Sequence, residues 1–83
     1  MALDNRDAAN LLDIVEAGER IARYVAGKTF AEYRKDDLLR DAVERNVIVI
    51  GEAVKRLSKA FVGRHPEIPW SNVTALRNIL AHA

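Results

Sequence analysis

A long helical pattern runs through the middle of this chain. Between residues 39 and 61, residues that suit a buried helix face recur at steps of three or four. These positions are Leu39, Val43, Asn46, Ile50, Ala53, Leu57 and Phe61. The run "VIVIG" at 47–51 is rich in β-branched residues and on its own favours a strand, but the helical spacing continues on both sides of it. We therefore predict one helix from an N-cap at Asp36 or Asp37 through Phe61.

A second helix is predicted over about residues 5–26, before this one. Its apolar or small residues fall at alternating steps of four and three, widened by Ile14 and Ile21. They are Leu11, Val15, Gly18, Ala22 and Val25. Glycine lowers helix propensity by roughly 1 kcal/mol relative to alanine, so Gly18 predicts close approach of a neighbouring helix. Gly27 is the expected C-cap.

A third helix is predicted over about residues 70–82. The stretch "GRHPEIPW" before it contains both prolines of the chain, which indicates an ordered turn. Trp70 is expected to close the end of the bundle, and Ser71 is a plausible N-cap. The residues expected to face the core are Val73, Leu76 and Leu80, with Ile79 alongside.

Together these elements predict an all-α fold, an antiparallel up-and-down helical bundle with three main helices. Eighty-three residues make a single domain, 1–83, whose small core favours association with another chain. Three helices of this size leave one groove uncovered. We expect a fourth helix to be absent or supplied by a second copy.

Composition limits the classes of function. The chain has no cysteine, which excludes disulfides and thiolate metal sites. No stretch approaches the 18 apolar residues of a membrane span, and the charged N-terminus is unlike a signal peptide, so a cytoplasmic location is expected. Residues 1–51 hold eight Lys and Arg against ten Asp and Glu, whereas residues 52–83 hold five against two. This basic half could bind a phosphate-bearing partner or be an ordinary solvated surface.

The third helix carries the groups that could do chemistry. Ser71, Thr74, Asn78 and His82 form one polar stripe at steps of three, four and four. Arg77 lies about 140° around the helix from His82, so it can join the same cleft only by reaching around or across to a partner helix. The alternative is a solvent-facing helix with a C-terminal histidine favoured by the helix dipole. His65, before Pro66 in the turn, is expected to be a surface residue.

The stretch "LRNILAH" at 76–82 resembles the R-x4-H motif of HEPN-domain proteins in its Arg-Asn-x-x-x-His form. Residues 13–37, 41–58 and 65–82 resemble the HepT branch of that family, the toxins encoded beside minimal nucleotidyltransferase antitoxins. The blocks "IGEA", "PEIPW" and R-N-x-x-x-H occur in the family's order, so the resemblance covers nearly the whole chain.

This resemblance implies a metal-independent ribonuclease that acts on RNA as a homodimer, with a nucleotidyltransferase-type antitoxin as its partner and no cofactor. The composite site would lie where the two motif helices meet. By position, Arg77 and His82 are the motif pair and Asn78 is their polar neighbour. Asn46 and Glu52 are weaker candidates for lining the cleft. Asn46 could equally be a hydrogen-bonded core amide that fixes helix packing.

The sequence departs from the family at its end. Many HepT relatives continue as R-x4-H-x-Y and add a further helix, whereas this sequence ends one residue after His82. Three classes of function therefore remain: a HEPN-type ribonuclease toxin, a non-catalytic HEPN module that binds RNA, nucleotide or a nucleotidyltransferase, and a plain oligomerisation unit. Substitution of Arg77 and His82 separates them.

Overall fold

Five helices joined by short connections make up the protein. The structure, a computed structural model, describes residues 4–82. The helices are α1 Asn5–Val25, α2 Phe30–Lys35, α3 Asp37–Arg56, α4 Lys59–Arg64 and α5 Trp70–Ala81. Both α1 and α5 pack on α3, which is the central helix. The all-α bundle with three long helices is confirmed, and no strand occurs among residues 4–82. Over that range, none of the helices combines the length and the apolar character needed to cross a membrane.

The first helix ends close to where the sequence predicts. It begins after Asp4, whose carboxylate accepts a hydrogen bond from the Arg6 amide at 2.7 Å. Its C-cap is Ala26, one residue earlier than expected, and Gly27 follows with a φ of 72°. A side chain is strained at such a φ, so glycine is the residue that lets the chain reverse here.

Capping side chains fix the residues at which α2 and α3 begin. Thr29 accepts from the Glu32 amide, and the Glu32 carboxylate accepts from the Thr29 amide, which makes a capping box at the start of α2. Hydrogen bonding of Thr29 to the Glu32 carboxylate, first from the backbone amide and next from the side chain, holds the pKa of Glu32 below its ordinary value. The predicted N-cap Asp36 is confirmed, since its carboxylate accepts from the Leu39 amide at 3.0 Å.

The prediction of one helix through Phe61 is wrong, because α3 ends at Arg56. Ser58 starts a new helix, α4, by accepting from the Phe61 amide at 3.1 Å. The N-terminal part of α1 stabilises this break. Asp7 accepts from both the amide and the hydroxyl of Ser58, at 2.7 and 2.6 Å, and the Asn10 side chain donates to the Arg56 carbonyl at 3.3 Å.

The buried face of α1 also differs from the prediction. Asp7, Asn10 and Ala17 are its buried residues, whereas Val15 is 53% exposed. Two polar side chains are buried because they bond the backbone of the α3–α4 junction, which a search for apolar spacing cannot detect. The close approach predicted at Gly18 is wrong, since a Cβ there would have nothing within 4 Å.

The start of α5 is held by an aromatic cluster. Trp70 lies edge-on to Phe61 with ring centroids 6.3 Å apart, and its indole N–H donates to the His65 carbonyl at 2.9 Å. This confirms Trp70 as the plug of the bundle end. The N-cap is Pro69 with no side-chain hydrogen bond, so the prediction of Ser71 is wrong. Leu76 was expected to face the core but is 47% exposed.

Candidate functional site

Arg77 is the motif residue that contacts the rest of the bundle. It lies on the face of α5 that packs on α3, opposite the buried Gly51. A Cβ at Gly51 would overlap the Cβ and Cγ of Arg77 and come within 3.6 Å of its Cα. The absence of a side chain at position 51 therefore allows the backbone of α5 to approach α3 at the motif arginine.

Charged and polar groups hold the Arg77 guanidinium in place. One Nη lies 3.7 Å from the Glu52 carboxylate, and the other donates to the Asn78 side-chain oxygen at 3.0 Å. The Arg77 side chain is 19% exposed, and its buried Nε has no hydrogen-bond partner among residues 4–82. An arginine held on two sides and still open to solvent has hydrogen-bonding capacity left for an anion.

His82 lies on a different side of α5. It caps the helix C-terminus, its backbone N–H bonding the Asn78 carbonyl at 3.2 Å, and its side chain is exposed. Within the described part of the chain, its imidazole takes part in no hydrogen bond or ion pair. One chain thus brings Arg77, Asn78 and Glu52 together but does not bring His82 into the same contact set.

Asn46 is placed between α1 and α3. Its side-chain oxygen accepts from Arg20 Nε at 2.7 Å, and its amide donates to the Ala42 carbonyl at 2.8 Å. With 7% exposure, Asn46 fits the hydrogen-bonded core amide that fixes packing. Helical geometry places it about 120° around α3 from Glu52, so the two do not share one cleft.

The cleft beside Arg77 contains two cations that the motif does not include. An open depression is lined by Glu52, Lys55, Arg56 and Arg77. Lys55 and Arg56 occupy the last turn of α3 and are exposed. In the sequence, Lys55 and Arg56 were indicated only by the excess of Lys and Arg over Asp and Glu in residues 52–83. Spacing alone could not place them beside Arg77, because they lie on another helix.

The turn before α5 contains the other histidine. His65 is half-buried, and its ring lies tilted against the Phe61 ring with the ring centroids 4.6 Å apart. Its Nδ1 lies 3.0 Å from the Glu67 carboxylate. This hydrogen bond holds the pKa of Glu67 below its ordinary value. His65 therefore belongs to the packing that positions α5. No group of three His, Cys, Asp or Glu side chains within residues 4–82 could hold a metal ion.

The fold and the motif helix define the class of protein. A small all-α bundle with Arg-Asn-x-x-x-His on a helix packed against a glycine of the central helix is a HEPN-type helical domain. The chain belongs to the ribonuclease HepT-like family, whose model matches residues 14–83.

Curated relatives agree with this assignment. The chain is 40% identical over 74 residues to "Putative RNase MJ0127" of Methanocaldococcus jannaschii, covering 89% of this chain and 61% of that protein. It is 36% identical over 69 residues to "Putative RNase TTE0752" of Caldanaerobacter subterraneus, covering 83% and 62%. It is 38% identical over 73 residues to "Probable ribonuclease HepT" of Thermococcus cleftensis, covering 88% and 66%. The chain thus spans about three fifths of the length of these relatives. No solved structure matches it significantly.

Proposed function

We propose that this protein is a metal-independent endoribonuclease of the HepT type. It acts as a toxin restrained by a nucleotidyltransferase-type antitoxin, and its site is formed by Arg77, Asn78 and His82 of two copies. The observation that carries the proposal is the packing of Arg77 against Gly51, with its guanidinium held by Glu52 and Asn78. Family membership over residues 14–83 and the names of the relatives support it.

The reaction assigned to these groups is a transesterification at phosphorus. The RNA 2′-oxygen attacks phosphorus, the bond to the 5′-oxygen breaks, and a 2′,3′-cyclic phosphate forms. One His82 imidazole accepts the proton of the 2′-hydroxyl, and the His82 of a second copy donates a proton to the departing 5′-oxygen. Arg77 binds the phosphoryl oxygens as negative charge develops on them, while Asn78 keeps the Arg77 guanidinium in position.

Two copies are required because each chain contributes one motif histidine. Acid and base catalysis in a single step needs two proton-transferring groups, and two-fold pairing of α5 would supply them. Exposed apolar side chains on α5 support such pairing, with Leu76 at 47% and Ile79 at 65% exposure.

The experiment measures cleavage of an end-labelled single-stranded RNA in the presence of EDTA. Arg77→Ala and His82→Ala should each lower the cleavage rate by about 10²-fold or more, while circular dichroism and dimer mass stay unchanged. The matched control is Arg23→Ala, which truncates an exposed arginine of α1 and should leave the rate unaltered. Undiminished cleavage by either motif variant would overturn the proposal.

A second candidate is a non-catalytic HEPN module that binds RNA, a nucleotide or a nucleotidyltransferase. The exposed position of His82, outside the contacts made by Arg77, favours it. In that case the wild-type protein would bind RNA without cleaving it. The affinity for RNA would fall in the Arg77→Ala variant and stay at the wild-type level in the His82→Ala variant.

A further inference from the structure

Two adjoining clefts at the C-terminal end of α3 share one arginine. The first is lined by Glu52, Lys55, Arg56 and Arg77. The second is lined by Arg6, Ala9, Asn10 and Arg56, and lies where the first turns of α1 meet α3. Because Arg56 lines both, the two clefts adjoin at its side chain, and together they form one basic surface with Arg77 in the first cleft and Arg6 in the second.

The cations of this surface are little engaged by the protein itself. Within residues 4–82, neither Lys55 nor Arg56 lies within 4.0 Å of a carboxylate oxygen. Arg6 has a contact of 3.9 Å to Asp4, and its side chain is 92% exposed, so that pair contributes little. The contact of Asn10 with Arg56 uses the Arg56 carbonyl, which leaves the guanidinium available.

Two carboxylates near this surface already have partners within the chain. Glu52, the one acidic residue lining either cleft, pairs with Arg77. Asp7 is 2% exposed, with both carboxylate oxygens bonded to Ser58. Lys55 and Arg56 therefore present positive charge that no carboxylate of residues 4–82 pairs with. Arg6 has the long, exposed contact with Asp4 and an electrostatic attraction to Asp7, and its side chain still faces solvent.

We propose that Lys55, Arg56 and Arg6 bind successive backbone phosphates of a single-stranded RNA whose reacting phosphate lies at Arg77. This inference rests on the proposed function and adds a substrate-binding track outside the motif. The arrangement favours a polyphosphate because several exposed cations line the two clefts, and Arg56 joins the cleft that contains Arg77 to the one that contains Arg6. Such contacts supply affinity and direction without reading sequence.

The test measures binding of a fluorescein-labelled 20-nucleotide 2′-O-methyl RNA, which has no free 2′-hydroxyl and cannot be cleaved by the proposed route. The double variant Lys55→Gln, Arg56→Gln should bind on the order of tenfold more weakly. The slope of log affinity against log salt should decrease by about 1.4, since each phosphate contact of a single strand contributes about 0.7. Each single variant should show roughly half of the loss in log affinity and half of the decrease in slope.

The matched control is Arg23→Gln, Arg45→Gln, which removes the same charge from exposed positions of α1 and α3 lining neither cleft. It should bind the RNA nearly as wild type does. Equal weakening by both double variants would overturn the track, and so would the absence of RNA binding by the wild-type protein. Oligoglutamate binding as tightly, with the same dependence on Lys55 and Arg56, would assign the surface to acidic proteins instead.

Cleavage of unmodified RNA is measured separately. A protein that fails to cleave RNA but binds the probe through Lys55 and Arg56 loses the nuclease proposal and keeps the track. A protein that cleaves RNA but binds the probe independently of those residues keeps the nuclease proposal and loses the track.

Discussion

Gly51 shows how a single residue sets the geometry of the motif. Gly51→Ala should gain about 1 kcal/mol of helix propensity but force the overlapping Arg77 side chain and α5 to shift, which typically costs about 1–3 kcal/mol. We expect a net loss of stability of up to about 2 kcal/mol in urea denaturation. RNA cleavage should fall as well, because the guanidinium would leave its place between Glu52 and Asn78.

Gly18→Ala is the control for that substitution. It makes the same change in another long helix, where an added Cβ has open space. Stability should rise by up to about 1 kcal/mol, and cleavage should not change. If both variants gained stability, the close contact between Gly51 and Arg77 would not exist in solution.

Among the secondary-structure elements, the break between α3 and α4 depends on the start of α1. The hydrogen bond from the Ser58 side chain, and next that from the Ser58 amide, hold the pKa of Asp7 below its ordinary value. Arg64 and Arg6 add to the effect in the same direction, while burial opposes it. The Asp7 carboxylate thus stabilises the fold in its ionised form.

The pH dependence of unfolding tests this junction. Because the pKa of Asp7 is lower in the folded than in the unfolded chain, its stabilisation is present above about pH 3.8 and is lost as the pH falls through the folded value. Asp7→Asn should lower the melting temperature at neutral pH and remove part of the decline in stability below about pH 5. Glu32 and Glu67, whose pKa values are also lower in the folded chain, should contribute to the remaining decline.

Asp13→Asn is the matched control, since Asp13 is an exposed carboxylate of the same helix. It should retain the acid dependence of the wild type. A decline in Asp7→Asn identical to that of the wild type would contradict a role for Asp7 in holding α4.

The folded single chain leaves apolar side chains of α5 exposed, which leads to a prediction about its oligomeric state. We expect a solution mass twice the 9.3 kDa of one chain. Ile79→Asp, on the exposed side of the motif helix, should shift the mass toward the monomer by placing charge in an apolar interface. Leu38→Asp is the control, since Leu38 is 83% exposed but about 20 Å away along α3 from Gly51. A stable wild-type monomer would rule out the composite site.

Much of the fold could be predicted because it depends on local patterns. The helical spacing around "VIVIG", the cap at Asp36 and the reversal at Gly27 all follow from residues close together in the chain. The break at Ser58 could not be predicted, because its partner Asp7 lies 51 residues away. A helical pattern that continues through the break also conceals it, since Leu57 and Phe61 are buried on both sides.

The candidate site divides in the same way. Arg77, Asn78 and His82 could be proposed from the sequence because they match the Arg-Asn-x-x-x-His motif within one helix. Their contacts with α3 could not be, since Gly51 and Glu52 approach Arg77, and Lys55 and Arg56 adjoin it, only when α5 packs on α3.

The sequence by itself determined the three long helical segments, the cap at Asp36 and the motif, since these depend on residues close together in the chain. Tertiary packing decided which faces are buried, where the central helix ends and which charges surround Arg77. The physical reason is that burial and ion pairing depend on distances between helices, and spacing along one helix does not contain those distances.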